Sequence, residues 1–282
     1  MSDPSDVPSS KAAGSRFGAT GRDLHPQAAA VRPTITGART ELGRLLATQQ
    51  VAGKVHFNLA GQHANTLLHD GHGWADFAKT ALTGARRSLR SGADFLVHAS
   101  FSFVRVTPEL EPLRAIAQAI AEAEEIVLSA SMPSCVVRLG YLYGPASHDL
   151  LAYRAAFRLG RPYWAGPKDS RQDHLHQQDA VSALLAAAAL RQRGQTFYAT
   201  DGHPLPFMKF MDGFAHRVGR SCPLHVPKLA SPLMRLVVHE EHMQQAALSM
   251  PAQPPAPMVP GWQPAFADYG AGLDQVVDTW SA

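Results

Sequence analysis

The stretch from Ser134 to Pro145 limits the folds open to this chain more than any other. Cys135, Val136 and Val137 form an apolar, largely β-branched run, and Gly140 and the Gly144-Pro145 pair punctuate the residues after it. A run of that kind suits a strand buried on both faces of a parallel sheet, and the glycines stop it. In open α/β sheets ligands collect beyond the carboxyl ends of strands, so residues 139–145 form a candidate ligand loop.

The same pattern recurs along the chain. Val55 to Ala60 and Ala93 to Ser100 read as buried strands, and Gln195 to Gly202 as a strand and turn. Between them lie segments of helical period. One spans Ala38 to about Gln50 through Leu42, Leu45 and Leu46, and Trp74 to about Arg90 carries Phe77, Ala81, Ala85 and Leu89 on one stripe. A third starts after Pro108 with Leu113, Ile116, Ile120, Ala123 and Val127 on one face, and further helices are expected over residues 149–159, 180–190 and 205–218. Strands alternating with helices predict an α/β protein with a mainly parallel sheet.

With 282 residues, 45% of them hydrophobic, the chain can build a sizeable core. The net charge of +3 comes without a Lys/Arg block, so nucleic acid is not an expected partner. Two cysteines, Cys135 and Cys222, make no disulfide framework and imply a reducing, cytoplasmic setting. The opening residues lack the basic and apolar regions of a signal peptide, and no apolar run approaches the roughly 18 residues of a membrane helix. Residues 1–37 are rich in Ser, Pro, Gly and Ala without apolar periodicity, and are expected to form a disordered or loosely attached arm. Residues 38–160 then form the core domain, and 161–282 the remaining core elements with a small carboxy-terminal lobe.

Several of these segments resemble, in the right order, the extended short-chain dehydrogenase/reductases, the NAD-dependent epimerase/dehydratase family. Arg138-Leu-Gly-Tyr-Leu-Tyr-Gly-Pro145 is similar to the family's Arg-Pro-Gly-x-Val-Tyr-Gly-Pro loop, and Val55-His-Phe-Asn-Leu-Ala60 to its Val-x-His-Leu-Ala strand. Asp173-His-Leu-His-Gln-Gln-Asp179 resembles Asp-x-x-His-Val-x-Asp, and residues 260–273 the closing Leu-Gly-Trp-x-Pro segment. The resemblance implies a Rossmann-like sheet with helices on both faces, a small carboxy-terminal lobe, and NAD or NADP as the cofactor.

By the same resemblance, Asn58, Ala60, Ser100, Gly140, Tyr141 and Leu142 would line the cofactor, and Tyr143, Tyr163, His174 and His176 a substrate. Gly18 and Gly21 spell the opening of the family's glycine fingerprint, although no strand precedes them and no helix pattern comes after. The family's Tyr-x-x-x-Lys pair places a phenol beside an ammonium group one helical turn away. In this register those positions hold Ile116 and Ile120, neither of which moves a proton, leaving Ser100 and Ser102 as candidate hydroxyls.

The expectation is therefore a degenerate, non-catalytic relative that binds a small-molecule ligand or a partner. The alternatives are an active oxidoreductase or nucleotide-sugar epimerase with a relocated donor at Tyr141, Tyr143 or His176, and an assembly protein. With no evident strand before Val55, the Val55–Leu59 strand is expected to lie at a sheet edge, which either the amino-terminal arm folds over or a second copy pairs with to give a homo-oligomer, unless the sequence is an incomplete version of a longer protein. No metal site is expected: His174 and His176 share a face without a third ligand at a recognisable spacing.

Overall fold

The computed structural model describes residues 29–61, 74–105, 113–163, 166–226, 243, 246–247, 249–250 and 256–282, with side-chain detail beginning at residue 78 in the second helix and 114 in the third. Five parallel strands form the central sheet: β2 (Thr34–Thr36), β4 (Val55–Asn58), β5 (Phe95–Phe101), β6 (Ser134–Leu139) and β9 (Thr196–Ala199), hydrogen-bonded in that order. Two short pairings flank it. β1 (Ala30–Val31) runs antiparallel to β3 (Val51–Ala52), and β7 (Tyr141–Tyr143) runs parallel to β8 (His174–His176).

Alternation along the strands sorts the core into two faces. Val55, Phe57, Phe95, Val97, Cys135 and Val137 point to one, where they meet Leu42 and Leu46 of α1 (Glu41–Ala47) and the alanine-rich side of α5 (Gln177–Leu190). Leu96 points to the other, onto Ala81 and Ala85 of α2 (Trp74–Ser88) and Ala123 and Val127 of α3 (Leu113–Leu128). A separate aromatic cluster joins Tyr141, Tyr143 and α4 (His148–Arg158) to α6 (Phe207–Arg217) and α7 (Tyr269–Ser281) through Phe157, Phe207, Phe210, Phe214 and Leu273.

Two sequence expectations change. Within the span expected to be a disordered or loosely attached arm, residues 30–31 and 34–36 form the strands β1 and β2. Residues 1–28, and with them Gly18 and Gly21, lie outside the described residues. Secondly, Val55–Leu59 is no edge: β4 pairs with β2 on one side through Thr34↔His56 and with β5 on the other through Val55↔Phe95. The physical reason is that Thr-Ile-Thr between Pro33 and Gly37 suffices for a three-residue rung, which is too short for apolar periodicity to reveal.

The order of the strands also fixes an asymmetry of hand. The sheet grows in one direction from β2 to β5, yet the first connection carries α1 on one face and the next carries α2 on the opposite face. Those two crossovers therefore have opposite hands. The connections through α2 and α3 share face and direction, whereas α1, like α5 between β6 and β9, lies on the other face, in a class of connection of which about 98% share one hand.

Candidate functional site

The carboxyl ends of β2 and β4 open into a groove of 530 Å³ lined by Gly37, Thr40, Ala60, Lys79, Gly84 and Arg87, among others. β2 leads into it through Gly37, whose φ of +86° favours glycine. α1 comes next, and a methyl group at Gly43 would overlap the Gly37 carbonyl, so the helix lies against the strand end as closely as backbone allows. This strand–glycine turn–helix is the form the sequence motif requires, here spelled Gly37-Ala-Arg-Thr40-Glu-Leu-Gly43.

The interior of that turn is already used. Thr40 caps α1: its Oγ1 donates to the Gly37 carbonyl at 2.8 Å and accepts from the Gly43 amide at 3.0 Å. Glu41 occupies the first turn and accepts a hydrogen bond from Gln177, with His148 Nε2 3.9 Å away. Burial pushes its carboxyl up to about 7, against the lowering effects of Gln177, Arg44 and His148. A pyrophosphate needs free amides and no competing carboxylate. Among the described residues no strand lies beyond β2 to offer a ribose-binding acid. The described residues do not fit a dinucleotide held in the family's manner.

The predicted cofactor residues fall into separate environments. Asn58 and Ala60 sit at the end of β4; the buried Asn58 amide donates to His98 Nδ1 at 2.8 Å, and its carbonyl accepts from the Ala60 amide at 3.1 Å. Burial lowers the His98 pKa to about 4, which keeps the ring neutral and able to accept. Ser100 is buried and donates to Glu124 Oε1 at 2.6 Å. Arg138 grips the same carboxylate with Nε at 2.9 Å and Nη2 at 2.6 Å, and its Nη1 donates to the Tyr198 hydroxyl at 3.4 Å. Tyr198 in turn donates to the Ser102 carbonyl at 3.3 Å, so both candidate serines lie beside one buried ionic network rather than an acid–base pair.

Gly140, Tyr141 and Leu142 are buried where β6 passes into β7. The Tyr141 hydroxyl donates to Asp149 at 2.8 Å, and burial, then Asp149, raise its pKa well above the ordinary phenol value. Tyr143 is fully buried against Gly272, and its hydroxyl has no hydrogen-bond partner. His174 stacks on Phe210 with centroids 4.3 Å apart, and burial lowers its pKa to about 3. His176 packs against Phe266 and Tyr143, and its Nε2 lies 3.1 Å from Gln275 Oε1. Tyr163 stands apart from these, donating to Asp212 at 2.7 Å beside His225. The substrate candidates Tyr143, His174 and His176 thus come together around β7 and β8, while Tyr163 does not reach the strand ends.

Ile116 and Ile120 pack with Phe101, Phe103, Val104 and Met250 in a closed apolar cluster. Sequence reasoning missed Gly37, Thr40, Glu41 and Gly43, whose available signal was the pair Leu42 and Leu46 after Thr-Ile-Thr-Gly. It also missed Gly84, where a Cβ would overlap Ala60. Among the described residues no helix is long and apolar enough to cross a membrane, and no group of three metal-ligating side chains occurs.

The chain matches no model of a protein family. It is 28% identical over 163 residues to a 3-diazoavenalumate denitrifying reductase from a Streptomyces species, a match spanning 56% of this chain and only 52% of that relative. Among solved structures, a human epimerase family protein with NADPH aligns over 88% of this chain and 99% of its own, with a TM-score of 0.65 at 15% identity. RMD from Pseudomonas aeruginosa, complexed with NADPH, aligns over 88% and 98% with a TM-score of 0.61 at 16% identity. The dTDP-glucose 4,6-dehydratase DesIV from Streptomyces venezuelae, with NAD bound, aligns over 89% and 97% with a TM-score of 0.62 at 15% identity. With its parallel sheet, its glycine turn at Gly37 and this set of neighbours, the chain has the fold of the extended short-chain dehydrogenase/reductases, the NAD-dependent epimerase/dehydratase fold, and is a distant relative of a reductase.

Proposed function

We propose that this chain is a non-catalytic member of that fold, a cytoplasmic pseudoenzyme that keeps the scaffold to bind a ligand or partner. The observation that carries the reading is the enclosure of Ile116 and Ile120 among Phe101, Phe103, Val104 and Met250. General acid–base catalysis contributes about 10² to 10⁴ in rate, and side chains without a titratable proton forgo it. Two other candidate donors are already committed, Tyr141 to Asp149 and Ser100 to the Glu124–Arg138 pair, and the unpaired Tyr143 hydroxyl is shut in against Gly272. The Thr40 cap and the Glu41 carboxylate support the same reading at the cofactor groove.

A second reading, an active NAD(P)-dependent reductase, is favoured by the retained Gly37 and Gly43 and by the reductase relative. Calorimetric titration with NADH and NADPH separates the two. The pseudoenzyme reading expects no saturable heat and no oxidation of either cofactor by a panel of carbonyl substrates and nucleotide sugars. Saturable binding with turnover overturns it, and loss of that turnover in Tyr141→Phe, Tyr143→Phe or His176→Ala would locate the donor.

A further inference from the structure

The two edges of the central sheet are not treated alike. At β9 the outer edge is covered by residues 257–259: the Tyr198 amide donates to the Pro257 carbonyl at 2.9 Å, and the Val259 amide to the Tyr198 carbonyl at 3.1 Å. At β2 no described residue pairs with the outer edge. The Leu59 amide donates to the Thr36 carbonyl at 2.9 Å, so Thr36 faces β4. In a parallel ladder alternate residues bond to opposite sides, and Ile35 therefore turns its N–H and C=O outward.

Two features say what suits that edge. The first is the hand of the α1 connection: it is opposite to that of the α2 and α3 connections, and a strand laid beyond β2, not β4, is what would give α1 their hand. The position past β2 is thus a strand position by the geometry of the fold. The second is charge. The groove at the carboxyl end of β2 is continuous with one of 580 Å³ along its side, the two sharing Thr36, Gly37 and Arg87. Among the described residues their lining carries Lys79, Arg87 and Arg90, all exposed, and no carboxylate. None of the three has an ion-pair partner among the described residues. His56 adds no charge at neutral pH, because burial, with Arg87 nearby, lowers its pKa to about 4.

We propose that the β2 edge receives an extended acidic segment of a partner protein, which adds as a sixth strand through the Ile35 backbone while its carboxylates meet Lys79, Arg87 and Arg90. A second copy of this chain is disfavoured as the occupant, since two such edges brought together would oppose their own cations. Main-chain pairing supplies the affinity and the basic rim the selection. The inference goes beyond the proposed function and stands whether or not the chain turns over a nicotinamide cofactor.

The test uses the full chain and a fluorescein-labelled synthetic peptide of alternating glutamate and valine, followed by anisotropy. Saturable binding is expected, weakened about tenfold in the Lys79→Glu/Arg87→Glu/Arg90→Glu variant and about tenfold for a proline-interrupted peptide of equal charge. Amide exchange at Ile35 should slow when the glutamate–valine peptide is present. That measurement is made on the unmodified chain, so it decides the matter even if the charge-reversed variant fails to fold. Absence of binding overturns the proposal, as does equal binding of the proline-interrupted peptide, which would mark a generic polyanion effect. Displacement by inorganic pyrophosphate with Ile35 exchange unaltered overturns it in favour of a small-anion site. Sedimentation showing that the chain alone dimerises, with slowed Ile35 exchange in the dimer, overturns it in favour of self-pairing.

Discussion

Asp201 shows how a single residue sets a pH dependence. It is buried just past β9, one carboxylate oxygen accepts from the His203 amide at 3.0 Å, and the other has no partner. Burial raises its pKa to about 7, with the neighbouring Asp173, itself raised to about 6, contributing. A carboxyl whose pKa is higher folded than unfolded contributes stability that is complete below about pH 4 and lost as pH rises through about 7. The melting temperature of the wild type should therefore fall between pH 5 and pH 8 by at least about 3 °C more than that of Asp201→Asn, the scale of roughly 1 kcal/mol in a domain of this size. Thermal scans at the two pH values check this.

Tyr143 offers a second test at the same scale. Its hydroxyl is buried without a partner, so Tyr143→Phe should cost less than about 1 kcal/mol or stabilise slightly. Gly272→Ala, by contrast, drives a methyl group into that hydroxyl and should cost about 1–3 kcal/mol. Combining the two should recover part of the loss. Chemical denaturation of the single and double variants measures that coupling.

Between elements, the buried carboxylate of Glu124 on α3 holds Arg138 on β6 and Ser100 on β5. Glu124→Ala leaves the guanidinium uncompensated and should destabilise by about 3–5 kcal/mol, whereas Glu124→Leu with Arg138→Met should cost markedly less. Urea midpoints distinguish them. Much at this level was legible in the sequence. The runs at Val55, Phe95 and Cys135 are buried strands because apolar residues fill both faces, and the stripe Ile116, Ile120, Ala123 and Val127 is the inner side of α3. β2 was hidden because its recognition by β4 is a matter of backbone pairing and of the Thr34 and Thr36 hydroxyls reaching the His56 ring at 2.8 and 2.9 Å, which leave no apolar period. The glycine turn was hidden for a related reason: Thr40 stands where its middle glycine would, while Gly18 and Gly21 spell the motif without a strand before them. Burial of Tyr141, Tyr143 and His174 was likewise unforeseen, since the aromatic partners Phe207 and Phe210 arrive from more than 30 residues away.

Across the whole molecule, the closed apolar cluster around Ile116 and Ile120 makes a reverse experiment informative. Installing Ile116→Tyr and Ile120→Lys together should destabilise the fold by more than about 2 kcal/mol, because an ammonium group would enter an apolar cluster while the carboxylate one turn on, Glu124, is already held by Arg138 and Ser100, and should confer no cofactor oxidation. Gain of NADPH oxidation in that variant would sink the view that this groove no longer accepts a dinucleotide.

The unequal edges of the sheet bear on assembly. Because the segment at 257–259 pairs with β9, the β2 side is the flank of the central sheet that the described residues leave for an incoming strand. One copy therefore takes up one such segment, and any further growth would have to start from the outer edge of the segment itself rather than from a second site on this molecule.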